Sequence, residues 1–214
     1  NCQTSNNHIF TQKDIENAFQ MMFEAASEGD IEAISNLGEM YRDGIGVEKN
    51  MKLAFECFSN VVKQNINHPF SNKNFKNVCI NKRTALIGLN NDSPSHYARA
   101  SVNLGLMYEQ GLSTNPDAKM AVHYYQLSAD FRDPLGQFHL ARAYENGIGL
   151  RKDLSQAAKF YRLSANQGFA RSQFNIARYL EYGIGIPQDK SLAIQYYKCA
   201  ARQGIKSAEV AVKR

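Results

Sequence analysis

Leu140-Ala141-Arg142-Ala143-Tyr144-Glu145-Asn146-Gly147-Ile148-Gly149-Leu150 returns 36 residues later as Ile176-Ala177-Arg178-Tyr179-Leu180-Glu181-Tyr182-Gly183-Ile184-Gly185-Ile186. The same step carries Gly111 to Gly147 and Gly183, Ala121 to Ala157 and Ala193, and Tyr125 to Tyr161 and Tyr197. Repetition at a fixed period of this size is the signature of an array of small supersecondary units. An earlier copy holds Gly44, Ala54 and Phe58, each 67 residues before its counterpart, so an insertion of 31 residues separates the first copy from the second. At the two ends, Ala18, Met22, Phe23 and Ala26 fit the second half of a unit, and Ala208 and Val212 fit the first half.

Each unit reads as two helices. Ala100, Leu104 and Tyr108 fall on one stripe of a 3.6-residue period, and the glycine that follows can take the left-handed backbone that stops a helix. A column of Asp14, Asn50, Asp117, Asp153 and Asp189 supplies an acceptor for the open N–H groups at the start of the second helix. Asp133-Pro134 and Ser93-Pro94 give first helices a capping side chain followed by a proline at the first helical position. Gly38, Gly105, Ala141 and Ala177 make one small-residue column and Ala54, Ala121, Ala157 and Ala193 another, so the two helices are expected to touch there. The second unit departs from the others with Gly111-Leu112-Ser113-Thr114-Asn115-Pro116, and with Ser113 in place of the second glycine a different backbone path is expected.

At 214 residues, with 43% hydrophobic residues, the chain has ample material for a fold, and a linear array need not split into separate cores. The net charge of +5 is unevenly placed: Lys73, Lys76, Lys82 and Arg83 stand against Asp92 alone between Gln64 and Ala98, leaving the rest nearly balanced. Cys2, Cys57, Cys79 and Cys199 lack metal-ligand spacing. Cys57 and Cys199 fit helical positions as free thiols, and a Cys57 to Cys79 bridge is left open. The five histidines form no catalytic constellation, and His123 shares an exposed-type column with Glu56, Lys159 and Gln195. No cofactor or metal is expected. The Gly-Ile-Gly triplets lack the Gly-Lys-Ser/Thr of a phosphate loop and read as turns. Asn1-Cys2-Gln3-Thr4-Ser5-Asn6-Asn7 is similar to the polar tether after the modified cysteine of a bacterial lipoprotein, and equally to a frayed chain end.

An alanine four residues before Leu-Gly, then Met-Tyr, a Gly-x-Gly turn, an Asp cap, Ala-x-x-x-Tyr-Tyr and a closing Ala-x-x-Gly, as in Ala165-Asn166-Gln167-Gly168 and Ala201-Arg202-Gln203-Gly204, resemble the Sel1-like repeat family. The resemblance implies an all-α, right-handed α-solenoid of stacked helix-turn-helix units, related to tetratricopeptide arrays, with first helices on the concave side. It divides the chain into a flexible tail at 1–13, a half-repeat at 14–29, a repeat at 30–63, the insertion at 64–95, repeats at 96–131, 132–168 and 169–204, and a terminal half-repeat at 205–214. It also implies a non-catalytic adaptor for one or more proteins or peptides, often exported in bacteria and linked to secretion, envelope assembly or host contact. A periplasmic or secreted location follows as an expectation, with membrane association only through a lipid anchor and a cytoplasmic location as the alternative.

Asn36, Asn103, His139 and Asn175 share the position just before the buried Leu or Ile, and Glu39, Arg142 and Arg178 lie one turn onward. Amides and guanidinium groups on the concave face can hold the backbone or carboxylates of a peptide, or they can simply join neighbouring helices. In the insertion, Phe75, Val78, Cys79, Leu86 and Leu89 suit an amphipathic helix from about Lys73 to Leu89. That helix would either cap the solenoid or present Lys73, Lys76, Lys82 and Arg83 to an acidic partner. Two other functions stay open. A helical-repeat nucleic-acid binder needs basic columns along the groove, and a hydrolase needs chemistry for which no Ser-x-x-Lys or Gly-x-Ser-x-Gly motif is present.

Overall fold

The computed structural model describes residues 11–66 and 93–213. Among them the fold is all-α, ten helices with no strand, in two compact units. The first unit holds α1 (Gln12–Ser27), α2 (Ile31–Asp43) and α3 (Met51–Ile66). The second holds α4 (Ser93–Gln110), α5 (Ala118–Asp130), α6 (Pro134–Asn146), α7 (Leu154–Asn166), α8 (Ala170–Tyr182), α9 (Lys190–Arg202) and α10 (Lys206–Val212). Within each unit every helix packs on the next in sequence, giving stacked helix pairs. Cys2, Cys79, the insertion helix and Lys73, Lys76, Lys82 and Arg83 lie outside the described residues, as do the side chains of Ser93 and Pro94.

The repeat columns become contacts. Ala54, Ala121, Ala157 and Ala193 are all essentially inaccessible, so second helices press their backbones against first helices there. Opposite them, a methyl group added at Gly38 would stand 2.7 Å from Cε1 of Phe58, and one at Gly105 would stand 2.5 Å from Cε1 of Tyr125. In these two pairs the aromatic ring of the second helix occupies the space a side chain would need, which outweighs the helix-propensity cost of glycine, about 1 kcal/mol.

First helices α2, α6 and α8 end on Gly44, Gly147 and Gly183 in the left-handed conformation. Asp117, Asp153 and Asp189 cap α5, α7 and α9, and Asn50 accepts from the Leu53 N–H at the start of α3. Asp14 does not have that role. Thr11 is the cap of α1, and Asp14 closes a capping box by accepting from the Thr11 N–H and hydroxyl. Because Thr11 can itself accept the Asp14 N–H, the helix starts one turn earlier than the column suggests.

The turn after α4 also corrects the sequence reading. Ser113 has φ 61°, beside 70° at Gly46, 68° at Gly149 and 65° at Gly185. The hydrogen bonds match too: Leu112 N to Met107 O and Asp117 N to Tyr108 O reproduce Ile148 N to Ala143 O and Asp153 N to Tyr144 O. The backbone path is therefore kept with serine in the left-handed position. What differs is the space around it. A methyl group at Gly149 would collide with the Ala118 carbonyl, and one at Gly185 would meet the Leu154 carbonyl carbon at 2.5 Å, whereas Ser113 is exposed.

In the second unit, successive pairs are also tied by side-chain bonds reaching 30 residues along the chain. Gln167 donates to Gln137 at 2.9 Å, Gln203 to Gln173 at 2.9 Å, Ser164 to the Pro134 carbonyl at 2.6 Å and Tyr196 to Asn166 at 2.7 Å.

Candidate functional site

The face to consider is the one that α4, α6 and α8 build together. Along it runs a ladder of tyrosine and glutamate pairs, in which a second-helix hydroxyl donates to a first-helix carboxylate 16 residues earlier. Tyr125 reaches Glu109 at 2.5 Å, Tyr161 reaches Glu145 at 2.5 Å and Tyr197 reaches Glu181 at 2.6 Å. The three rings are buried, and burial first, then the hydrogen bond to a carboxylate, pushes each phenol far above its ordinary range. These hydroxyls stay protonated donors at any physiological pH.

His139 lies flat on this ladder. Its ring stacks on Tyr125 with centroids 4.9 Å apart, and it is 9% exposed. Burial, then the positive fields of Arg142 and Arg171, push its pKa down to about 4. The imidazole is therefore neutral near pH 7, and a neutral Nδ1 can accept from Arg142 Nη1, which stands 3.4 Å away. Arg142 also faces Glu109 at 3.7 Å. One repeat on, the Tyr179 hydroxyl is buried beside Glu145 without an acceptor in hydrogen-bond geometry, and its ring meets Tyr161 edge-on at 5.6 Å.

Of the four residues in the amide column, Asn103 and His139 are buried and Asn36 and Asn175 are half-buried. Arg142 and Arg178 are half-buried. Arg142 and His139 come together directly, while Arg178 exerts its field on Tyr179 and Tyr197. Asn36 belongs to the first unit, where the chemistry is inverted. Phe58 has no hydroxyl, and Arg42 stands at the position of Glu109, Glu145 and Glu181, paired with Asp43 at 2.6 Å. The sequence reading missed the Tyr–Glu ladder. Its signal was present: the one unit that loses the tyrosine also loses the carboxylate.

Among the described residues no three His, Cys, Asp or Glu side chains are grouped as a metal site would require. Cys57 and Cys199 are half-buried free thiols, and burial pushes the Cys57 pKa up to about 11. Among the described residues no helix is long and apolar enough to cross a membrane.

Comparison with known families places a Sel1 repeat on residues 9–30, 31–60, 98–130, 134–169 and 170–205. The chain belongs to the Sel1 repeat family. Among solved structures it is similar to a Sel1 repeat protein from Oxalobacter formigenes, 25% identical with a TM-score of 0.71, over 92% of this chain and 66% of that one. It is also similar to c5321, described as a protective antigen present in uropathogenic Escherichia coli strains displaying an SLR fold. That protein is 26% identical with a TM-score of 0.52, over 92% of this chain and 43% of the other. The chain thus spans less than two thirds of either relative's length. A search of the curated proteins returned no match. The Sel1 repeat fold is typically a protein-interaction scaffold and generally non-catalytic.

Proposed function

We propose that this Sel1 repeat protein is a non-catalytic scaffold whose α4, α6 and α8 face receives a segment of a partner protein. One observation carries the reading. Polar side chains recur on that face at a fixed 36-residue step: the half-buried Arg142, Asn175 and Arg178 stand on a floor of buried Asn103 and His139 and of Tyr–Glu pairs locked by hydrogen bonds. A preorganised row of donors and acceptors loses little entropy on binding, which is what an interaction surface needs. The partner belongs, in this proposal, to a bacterial envelope, secretion or host-contact assembly. The likeness to a protective antigen of a pathogenic strain supports that placement.

A photo-crosslinking residue at Asn175, with one at the exposed Lys159 of α7 as the control, tests the surface in cells of the native source. A discrete adduct from position 175 and none from 159 is expected. Adducts from neither position, or from both equally, would sink the reading. Protease accessibility in intact cells tests the location.

A further inference from the structure

Both signs of charge line the face of α4, α6 and α8, but only one is left uncommitted. Glu109, Glu145 and Glu181 each accept a tyrosine hydroxyl at 2.5 to 2.6 Å, and Glu109 also faces Arg142. Arg171 and Arg178, by contrast, have no ion-pair or hydrogen-bond partner among the described residues, and neither does the Asn175 amide between them. These three stand at i, i+4 and i+7 of α8, a spacing that puts them on one stripe of the helix. The stripe continues onto α6 through His139 and Arg142, which occupy the positions of Asn175 and Arg178 one repeat earlier. Arg142 on α6 and Arg171 on α8 both place their positive field on the neutral His139 ring, so the two guanidinium groups form one positive patch around it.

We propose that the stripe of Arg142, Arg171, Asn175 and Arg178 docks an extended acidic segment of a partner protein, its carboxylates on the guanidinium groups and its backbone on the Asn175 amide. This rests on the scaffold reading above and names the chemistry of the partner. Guanidinium binds carboxylate through two parallel hydrogen bonds, which gives both energy and register. The carboxylate ladder argues for a peptide rather than a nucleic acid. A polyphosphate backbone carries uniform negative charge and would run past Glu145 and Glu181, whereas a peptide can place single carboxylates at the arginines and uncharged residues between them.

The test uses the whole chain and a fluorescent peptide of about 12 residues alternating Glu and Ser, long enough when extended to cross two helix pairs. A Gln–Ser peptide and a single-stranded DNA of equal charge serve as comparisons, with anisotropy as the readout. The Glu–Ser peptide is expected to bind, the Gln–Ser peptide to fail, and R171Q/R178Q to weaken binding roughly five- to tenfold, as two partly exposed ion pairs allow. R171E/R178E is expected to bind a Lys–Ser peptide that the unaltered chain ignores. Both variants should keep the parent circular dichroism, because the two arginines hold no partner among the described residues.

Failure of the Glu–Ser peptide to bind, unchanged binding by R171Q/R178Q, or tighter binding of the DNA would each overturn the proposal. The photo-crosslinked adduct at position 175 separates this from the scaffold reading. An adduct that persists in R171Q/R178Q removes the acidic-segment proposal and keeps the scaffold, whereas absence of any adduct in the parent removes the scaffold itself.

Discussion

His139→Asn should make the protein less sensitive to acid. The imidazole has a folded pKa of about 4 against an ordinary 6.5, so between those values the unfolded chain binds a proton that the folded chain refuses. The sign follows: stability is fully present above about pH 6.5, falls as pH drops toward 4, and levels off below it. From pH 7 to pH 4.5 the loss attributable to this group is roughly 2 to 3 kcal/mol, at 1.36 kcal/mol per pKa unit. Asparagine is the natural comparison because Asn36, Asn103 and Asn175 occupy the same column. It forfeits the stack on Tyr125, worth about 1 kcal/mol, at every pH. It carries no titration of its own. Urea unfolding of both proteins at pH 7 and pH 4.5 gives four free energies, in which all other titrating groups cancel. The parent should be more stable at pH 7, and its excess should shrink or reverse at pH 4.5 by about 2 kcal/mol. Parallel losses, within about 0.5 kcal/mol, would refute the claim that His139 is buried neutral between cations.

Tyr161→Phe should cost about 1 to 3 kcal/mol by leaving the Glu145 carboxylate without its donor, and adding Glu145→Gln should recover part of that, as a double-mutant cycle in urea would read. Gly149→Ala should cost several kcal/mol, because the methyl meets the Ala118 carbonyl at a left-handed φ, whereas Gly168→Ala, with open space around it, should cost only about 1 kcal/mol of backbone strain. Ser113→Gly should be neutral or stabilising by up to about 1 kcal/mol, the left-handed strain of serine being traded against chain entropy. Cys57, its thiol pKa raised to about 11, should resist alkylation in the native protein at pH 8 and react on denaturation, which mass spectrometry of trapped adducts will show.

The repeat was legible because its determinants are local. A left-handed stop at Gly44, Gly147 or Gly183, an acceptor at Asp117, Asp153 or Asp189, and a small residue at Ala54 or Ala121 each announce their role within a few positions. What the pattern hid were properties set by neighbours. Asp14 sits in the cap column yet closes a capping box, since Thr11 three residues before it supplies the acceptor that starts the helix there. Ser113 looked like a broken turn because periodicity cannot report whether a side chain at that point has room. The amide column of Asn36, Asn103, His139 and Asn175 showed where the face lies, but not that His139 would be buried in the positive fields of Arg142 and Arg171, nor that three glutamates would be committed to tyrosines. Those depend on which rings the next helix pair brings in.

The bonds that join Gln137 to Gln167 and Gln173 to Gln203 both span 30 residues, and so do those from Ser164 to Pro134 and from Tyr196 to Asn166. A genetic duplication or loss of one whole 36-residue module would keep the 30-residue separation across the new junction, while gain or loss of a few codons inside a module would change it for every bond that crosses it. Growth of such a gene by unequal recombination thus preserves the spacing on which these bonds depend, and each added module brings new surface with it.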